Sequence, residues 1–419
     1  MVFDSFNSGL SIMLWLTFAI AVVMGAVVNK TNFCTMGAVS DMVNMGDWGR
    51  MRAWILAIAV ALIGMTVLES QGMVRPDEAF PPYRNGSLAW IEHLLGGLTF
   101  GVGMTLASGC GNKTLIRIGG GNLKSIVVLA VIGVIAYYMT NPFPGSDNTL
   151  YSLFFYEWTN PMAVNLGAGQ DLGSLVAGEN SASARLWLGL GVAALLLFFV
   201  FKSSEFRGGF DNILGGVVVG MAVLAGWYVS SMVQLDLDGS AYNLSSYYAE
   251  WDFLAESDEG KPAAAAPLSP QSFTFINPMG QSFGLVKGAF SASLLTFGVM
   301  ALFGVIVGSF VWSLVSKSLR VEWFVGVGDF VTHLIGAVLM GFGGVLAMGC
   351  TIGQGITGVS TLAIGSMMTL VAIIYGSAIT MKVQLYKMVY DDSSFFSALV
   401  TAMADLRLLP NGLRKHEAV

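Results

Sequence analysis

The chain has 419 residues, 55% of them hydrophobic and only 11% charged, with a mean hydropathy of +0.70. A soluble domain carries about 25% charge, so water-soluble enzymes and disordered chains are excluded as readings. The formal charge of −6 and pI near 5.1 argue against nucleic acid as a partner.

Nine apolar segments follow one another, near 10–29, 53–71, 90–108, 124–140, 185–201, 211–232, 286–316, 330–348 and 355–381. Most are long enough to cross about 30 Å of hydrocarbon. The expected fold is therefore all-α, a polytopic membrane protein with about nine transmembrane helices, forming one membrane domain over 1–419. No Lys or Arg precedes Lys30, so the start lacks the basic region of a cleavable signal. Lys and Arg cluster after the first, third, fifth, seventh and ninth segments, which predicts N-terminus out and C-terminus in. Arg75, Arg84 and Arg185 run against that rule. Two long outer loops are expected at 141–184 and 233–285. The second carries Asp236, Asp238, Glu250, Asp252, Glu256, Asp258 and Glu259, and both read as small extramembrane caps.

The third and eighth segments repeat each other. His93–Cys110 reads HLLGGLTFGVGMTLASGC and His333–Cys350 reads HLIGAVLMGFGGVLAMGC; nine of eighteen positions are identical without a gap. A weaker copy, Asn212–Val229, keeps Gly215 and Gly220 but no Cys. Five crossings separate the two strong copies, so they enter the membrane in opposite directions. That is the sequence sign of an inverted-topology repeat, with units near 10–140 and 211–381 and a site at their interface. Both copies break after the Cys into Gly-rich stretches, Gly109-Cys110-Gly111-Asn112-Lys113 and Gly349-Cys350-Thr351-Ile352-Gly353-Gln354. Unwound backbone at that depth is tolerated where it is buried in protein or lines a cavity. Re-entrant half-helices restarting there would turn free N–H groups toward an anion. The first segment ends the same way, at Asn32-Phe33-Cys34-Thr35-Met36-Gly37, so all three Cys of the chain stand at such breaks.

These stretches resemble the YeeE/YedE family of bacterial inner-membrane transporters of thiosulfate and related sulfur compounds. The matching pieces are Phe33-Cys34-x-x-Gly37-Ala38 with Asp41, Gly103-x-x-x-Ala107-x-Gly109-Cys110 with Arg117, and Gly343-x-x-x-Ala347-x-Gly349-Cys350-Thr351-x-Gly353-Gln354-Gly355. The resemblance implies that thiosulfate passes an hourglass-like interior in which Cys34, Cys110 and Cys350 donate hydrogen bonds in turn. It also suggests a small cytoplasmic TusA-like sulfurtransferase as recipient of the sulfur. The long outer loops depart from compact family members.

A small dianion needs donors strong enough to admit it and weak enough to release it, and neutral thiols are weak donors. The candidate substrate-binding residues are thus Cys34, Cys110, Cys350, Gly109, Gly111, Lys113, Gly349, Thr351 and Gln354. Each of His93 and His333 stands seventeen residues before its Cys, about 25 Å along a helix, so neither touches the Cys of its own segment. With Arg117 they are candidates for gating or ion coupling, although a helix-end His bonding a loop carbonyl is the plainer reading. Trp48, Trp54, Trp90, Trp187, Trp227 and Trp323 fall near segment ends, where an aromatic belt would lie. No cofactor or metal site is expected: the cysteines form no C-x-x-C pair, and no nucleotide-binding loop appears. Other cargoes (sulfite, sulfide, a selenium compound) and a membrane-embedded thiol oxidoreductase or sulfurtransferase are the competing readings.

Overall fold

A computed structural model describes the whole chain except residues 4, 168, 238–239, 252–260, 262–263, 265, 391 and 418–419. Five acids of the second outer loop, Asp238, Asp252, Glu256, Asp258 and Glu259, lie outside the described residues. The long helices are α1 (Phe6–Thr31), α3 (Gly49–Ser70), α4 (Trp90–Leu106), α6 (Lys124–Thr140), α7 (Ser181–Phe201), α8 (Phe210–Met232), α10 (Phe297–Val315), α11 (Val327–Leu346) and α12 (Ile364–Val389). Shorter ones are α2 (Thr35–Ser40), α5 (Gly111–Gly119), α9 (Ile276–Lys287) and α13 (Phe395–Asp405). Eight stretches are long and apolar enough to span a bilayer, with Trp90–Gly119 taken as one interrupted span. The seventeen-residue α6 joins them as a shorter apolar helix, at the lower limit of about 17 residues for crossing. The protein is a polytopic all-α membrane protein.

The two repeated stretches pack directly on each other. A Cβ placed on Gly96 would meet Gly343 O at 2.8 Å and Ala347 N at 2.6 Å; one on Gly336 would meet Gly103 O at 2.7 Å and Ala107 N at 2.5 Å. Gly103 and Gly343 return the same contacts, to Gly336 O and Gly96 O, both at 2.7 Å. The early residues of each helix face the late residues of the other, so α4 and α11 cross antiparallel. Equivalent positions exchange partners, as they do about a twofold axis. Small residues permit this backbone-to-backbone approach, which in lipid replaces the hydrophobic drive to associate. The weak third copy packs through its glycines too: Gly216 and Gly220 of α8 lie against the Ala53 and Ala57 carbonyls of α3.

The seventh predicted segment, 286–316, and the loop before it need correction. The helix begins at Phe297, and Ser272–Lys287 is not an outer loop. Phe273, Phe275 and Ile276 are fully buried, and α9 packs its Gly280 against the Ala136–Tyr137 backbone of α6. Twelve residues are too few for a hydropathy window to flag as a span. The apolar run across 286–296 is broken by consecutive left-handed residues, Ala289 (φ 52°) and Phe290 (φ 60°). The described start of this loop is ordered into strands. Gln234–Leu237 and Ser240–Asn243 make a hairpin, and Val2–Phe3 adds alongside in parallel register.

The stretch 141–184 also closes over the core. Gln170 O accepts from Ile364 N at 2.8 Å, and Leu172 N donates to Leu362 O at 3.1 Å. The arginines that ran against the charge rule are neutralised here. Arg84 and Arg185 share Glu69 and Asp77, and Arg185 also holds Asp171 at 2.9 Å. Arg75 pairs with Glu78. A Lys/Arg count reads no such pairing.

Candidate functional site: three cysteines at three helix breaks

Each cysteine sits in the same local construction. A helix stops at a non-glycine residue in left-handed backbone: Asn32 (φ 50°), Ser108 (φ 58°) or Met348 (φ 57°). Two residues later comes the cysteine, whose carbonyl accepts the first bond of a new helical turn. Ala38 N donates to Cys34 O at 2.9 Å, Thr114 N to Cys110 O at 2.9 Å, and Gln354 N to Cys350 O at 2.8 Å. The two repeated breaks match bond for bond. Gly109 N reaches Met104 O and Gly349 N reaches Gly344 O, both at 2.8 Å, the six-to-one bond of a Schellman ending. A cysteine in the N-cap position leaves the first amides of the following turn without intrahelical partners, and those are anion donors. Beyond Cys350 the turn widens to π geometry over Gly353–Gly358.

All three thiols are free and buried, with 6%, 2% and 0% of Cys34, Cys110 and Cys350 exposed. None faces lipid. Cys110 lies within electrostatic reach of both other thiols, and Thr351 of the opposite break stands beside its sulfur. The Lys113 amide faces Cys110, and the Gly353 amide donates to Cys350 Sγ at 3.4 Å. Thr274 and the Phe275 amide approach Cys350. Ile276 packs against both breaks, at Gly111 and at Gly344.

Several buried polar atoms around these thiols have no nitrogen or oxygen partner among the described residues: Thr35 Oγ1, Thr274 Oγ1, Thr351 Oγ1, Tyr83 Oη, Trp54 Nε1 and Trp227 Nε1. Buried polar groups are ordinarily satisfied, so a run of unused O–H and N–H donors is a prepared lining. The aromatic members pack on each other and on the breaks. Phe33 stacks on Trp54 at 5.1 Å and Tyr83 meets Trp227 edge-on at 6.3 Å. Tyr83, Thr274, Trp54 and Trp227 were absent from the sequence candidates. The two tryptophans are buried rather than in an aromatic belt, unlike Trp48, Trp90, Trp187 and Trp323, which are exposed. Their position near segment ends carried no signal of which way they face.

The other sequence candidates separate. Lys113 donates to Asn32 Oδ1 at 3.3 Å and lies close to Cys34, Cys110 and Arg117. Among the described residues, neither Lys113 nor Arg117 has a carboxylate partner. Gly109 and Gly349 give room to the Lys113 and Gln354 side chains. Gln354 donates one Nε2 hydrogen to the Ala347 carbonyl at 2.6 Å, which braces the end of α11 and leaves its second amide hydrogen for another acceptor. His93 is buried beside Thr369, its Nδ1 at 2.8 Å from that hydroxyl, and its Nε2 is unpartnered. His333 instead bonds the Asp329 carbonyl and carboxylate at 2.8 and 3.0 Å, the plain helix-end arrangement. Asp329 also holds Lys124, Asp41 pairs with Arg50, and Glu92 accepts from Tyr151 and Thr159. Among the described residues no group of three metal-ligating side chains gathers.

Buried thiols thus gather where the broken helices of a polytopic membrane protein meet. The chain belongs to the sulphur transport family, whose model matches residues 30–379. Two proteins named thiosulfate transporter TsuA resemble it. That of Escherichia coli K12 is 29% identical over 119 residues, 28% of this chain and 32% of that protein. That of Spirochaeta thermophila is 23% identical over 378 residues, 87% of this chain and 97% of that protein.

Proposed function

We propose that the protein takes up thiosulfate across the bacterial inner membrane, with its N-terminus outside and C-terminus inside. The ion is handed between Cys350, Cys110 and Cys34 by hydrogen bonds from neutral thiols. The observation that carries this reading is the shared geometry of the three cysteines, each capping a new turn after a break, with Cys110 next to both others. Support also comes from the relatives' names and from the unused donors of Tyr83, Thr274 and Thr351.

The physics favours weak donors. An isolated dianion cannot enter hydrocarbon, since desolvating its charge costs many kcal/mol. A cage of full positive charges would hold it too firmly for release. Thiols, hydroxyls and end-of-helix amides share the charge in small steps. On the inner side, Lys113 and Arg117 supply unpaired positive charge next to Cys34 and draw the ion onward, toward a TusA-like sulfur acceptor in the cytoplasm. The two repeat units, near 10–140 and 211–381, supply opposed halves of the passage, and α4 crossing α11 is its hinge line. The thiols are buried, so the passage is closed at their level and each transfer requires side chains to move.

The test is growth of a sulfur-starved bacterial strain on thiosulfate alone, together with uptake of labelled thiosulfate against sulfate, sulfite and selenite as competitors. Wild type restores growth, and Cys110→Ala lowers uptake about 10-fold or more, as loss of one preorganised donor does elsewhere. Cys350→Ala follows, and Cys34→Ala is mildest, with Cys110 first because it lies within electrostatic reach of both others. Wild-type uptake in Cys110→Ala refutes the relay. Turnover of thiosulfate by purified protein in detergent, without a membrane, would make it an enzyme instead.

A further inference from the structure

We infer that the open cavity between α6 and α9 is the site that first receives the anion on the outer face, with Lys287 as its cationic anchor. This rests on the uptake reading above and extends it to a place none of the three cysteines occupies. The cavity holds about 640 Å³, and its lining includes Phe80, Tyr137, Asn277, Gln281 and Lys287. At roughly 30 Å³ per water, that is room for an ion with its hydration shell. It opens where α6 ends and α10 begins, the end opposite Lys124 and Lys317.

Its chemistry suits a small oxyanion. Lys287 lies over the rings of Tyr137 and Tyr138, 4.7 and 5.4 Å from their centroids, and has no carboxylate partner among the described residues. Gln281 accepts from Thr296 with its oxygen, at 2.6 Å, and its amide nitrogen donates to no group among the described residues. Asn277 makes no side-chain hydrogen bond among the described residues. The end of α9 at this cavity is its negative end, which repels anions; Lys287 in the last turn offsets that and leaves a weak net attraction. A weak outer site is what a pathway needs, since firm binding there would stall the ion.

The cavity also leads somewhere. Phe80, Asn277 and Gln281 line both it and a cleft of about 10 Å³ that reaches Thr274. Thr274 is nine-tenths buried, and its hydroxyl stands beside the Cys350 thiol with no nitrogen or oxygen partner among the described residues. The cleft has room for about one water molecule, too little for an ion with its hydration shell. The ion therefore sheds its shell between Phe80 and Thr274, with Lys287 behind it and the Thr274 hydroxyl ahead.

The experiment is thiosulfate uptake against external concentration in intact sulfur-starved cells carrying wild type, Lys287→Arg, Lys287→Gln or Lys287→Glu. The Gln variant should raise the half-saturating concentration about 10-fold, the lower end of the scale of local charge focusing. Its maximal rate should hold within about twofold, the pattern of lost ground-state attraction. Glu should go further and Arg should match wild type. Independently, Gln281→Cys should react with a membrane-impermeant thiol reagent added outside, and thiosulfate should slow that reaction. A Lys287 series flat in half-saturation beside an active wild type overturns this assignment and leaves the relay standing. So does labelling of Gln281→Cys that thiosulfate does not slow. A wild type that takes up no thiosulfate overturns the uptake reading and this site with it.

Discussion

Arg84 donates its Nε hydrogen to the Thr361 carbonyl at 2.8 Å, tying the loop after α3 to the turn that closes the third break. Its two terminal nitrogens hold Glu69 at 2.6 and 2.8 Å, and its side chain is 1% exposed. Arg84→Met leaves the partly buried Glu69, its side chain 16% exposed, with a weakened set of partners and takes the Arg84 donor from the Thr361 carbonyl. Breaking a buried pair from one side costs about 3–5 kcal/mol. The expected outcome is a clearly lowered unfolding midpoint of the purified protein in detergent; an unchanged midpoint would show the network to be ornamental.

Tyr83, next in sequence, is held by that anchor against Gly358 and beside Cys350. Its hydroxyl has no protein partner, so removing it breaks no bond of the fold. Tyr83→Phe relieves an unsatisfied buried group, a gain of about 1 kcal/mol on the scale of such penalties. Stability should hold or rise while thiosulfate uptake falls several-fold. A variant that transports like wild type would mean the hydroxyl is bystander chemistry.

Asp171 makes the outer network pH-sensitive. Burial alone would raise its carboxyl, but hydrogen bonds from Arg185 and Ser174 and the charge of Arg84 outweigh it and hold the group down to about 2. The unfolded reference is about 3.9. A depressed folded value contributes stability above the unfolded value, lost as pH falls through the folded one. Asp171→Asn should therefore destabilise at neutral pH, and its deficit should shrink between about pH 4 and pH 2. Midpoints of both proteins across that range check it; a deficit constant down to pH 2 contradicts the assignment.

The α4–α11 crossing should tolerate no methyl group. Gly336→Ala places a carbon 2.5 Å from Ala107 N, and overpacking of this kind costs about 1–3 kcal/mol. Gly191→Ala in α7 meets nothing within 4 Å and should gain up to about 1 kcal/mol of helix propensity. Thermal unfolding in one detergent compares the two directly. Equal midpoints would mean the crossing yields more readily than its geometry implies.

Local patterns could be read along the chain because they depend on neighbours in sequence. Hydropathy runs marked the spans, the matched His93–Cys110 and His333–Cys350 stretches marked helices that pair, and Gly-Cys junctions marked the breaks. Those features follow from what a bilayer and a helix terminus demand of adjacent residues. What only the folded molecule decided depends on contacts between distant segments. The burial of α9 was invisible because twelve residues match no spanning window. The inward turn of Trp54 and Trp227 depends on which helices flank them. His93 and His333 stand at equivalent positions, yet His93 meets Thr369 of the distant α12, a partner only the packing supplies, whereas His333 bonds Asp329 four residues back on its own helix, where the first copy has Ala89. Arg84 and Arg185 became neutral parts of a cap only when Glu69, Asp77 and Asp171 came together from separate parts of the chain. Periodicity and composition record what a residue must avoid, such as lipid or water. They do not record which remote partner will satisfy it, and that choice belongs to the tertiary packing.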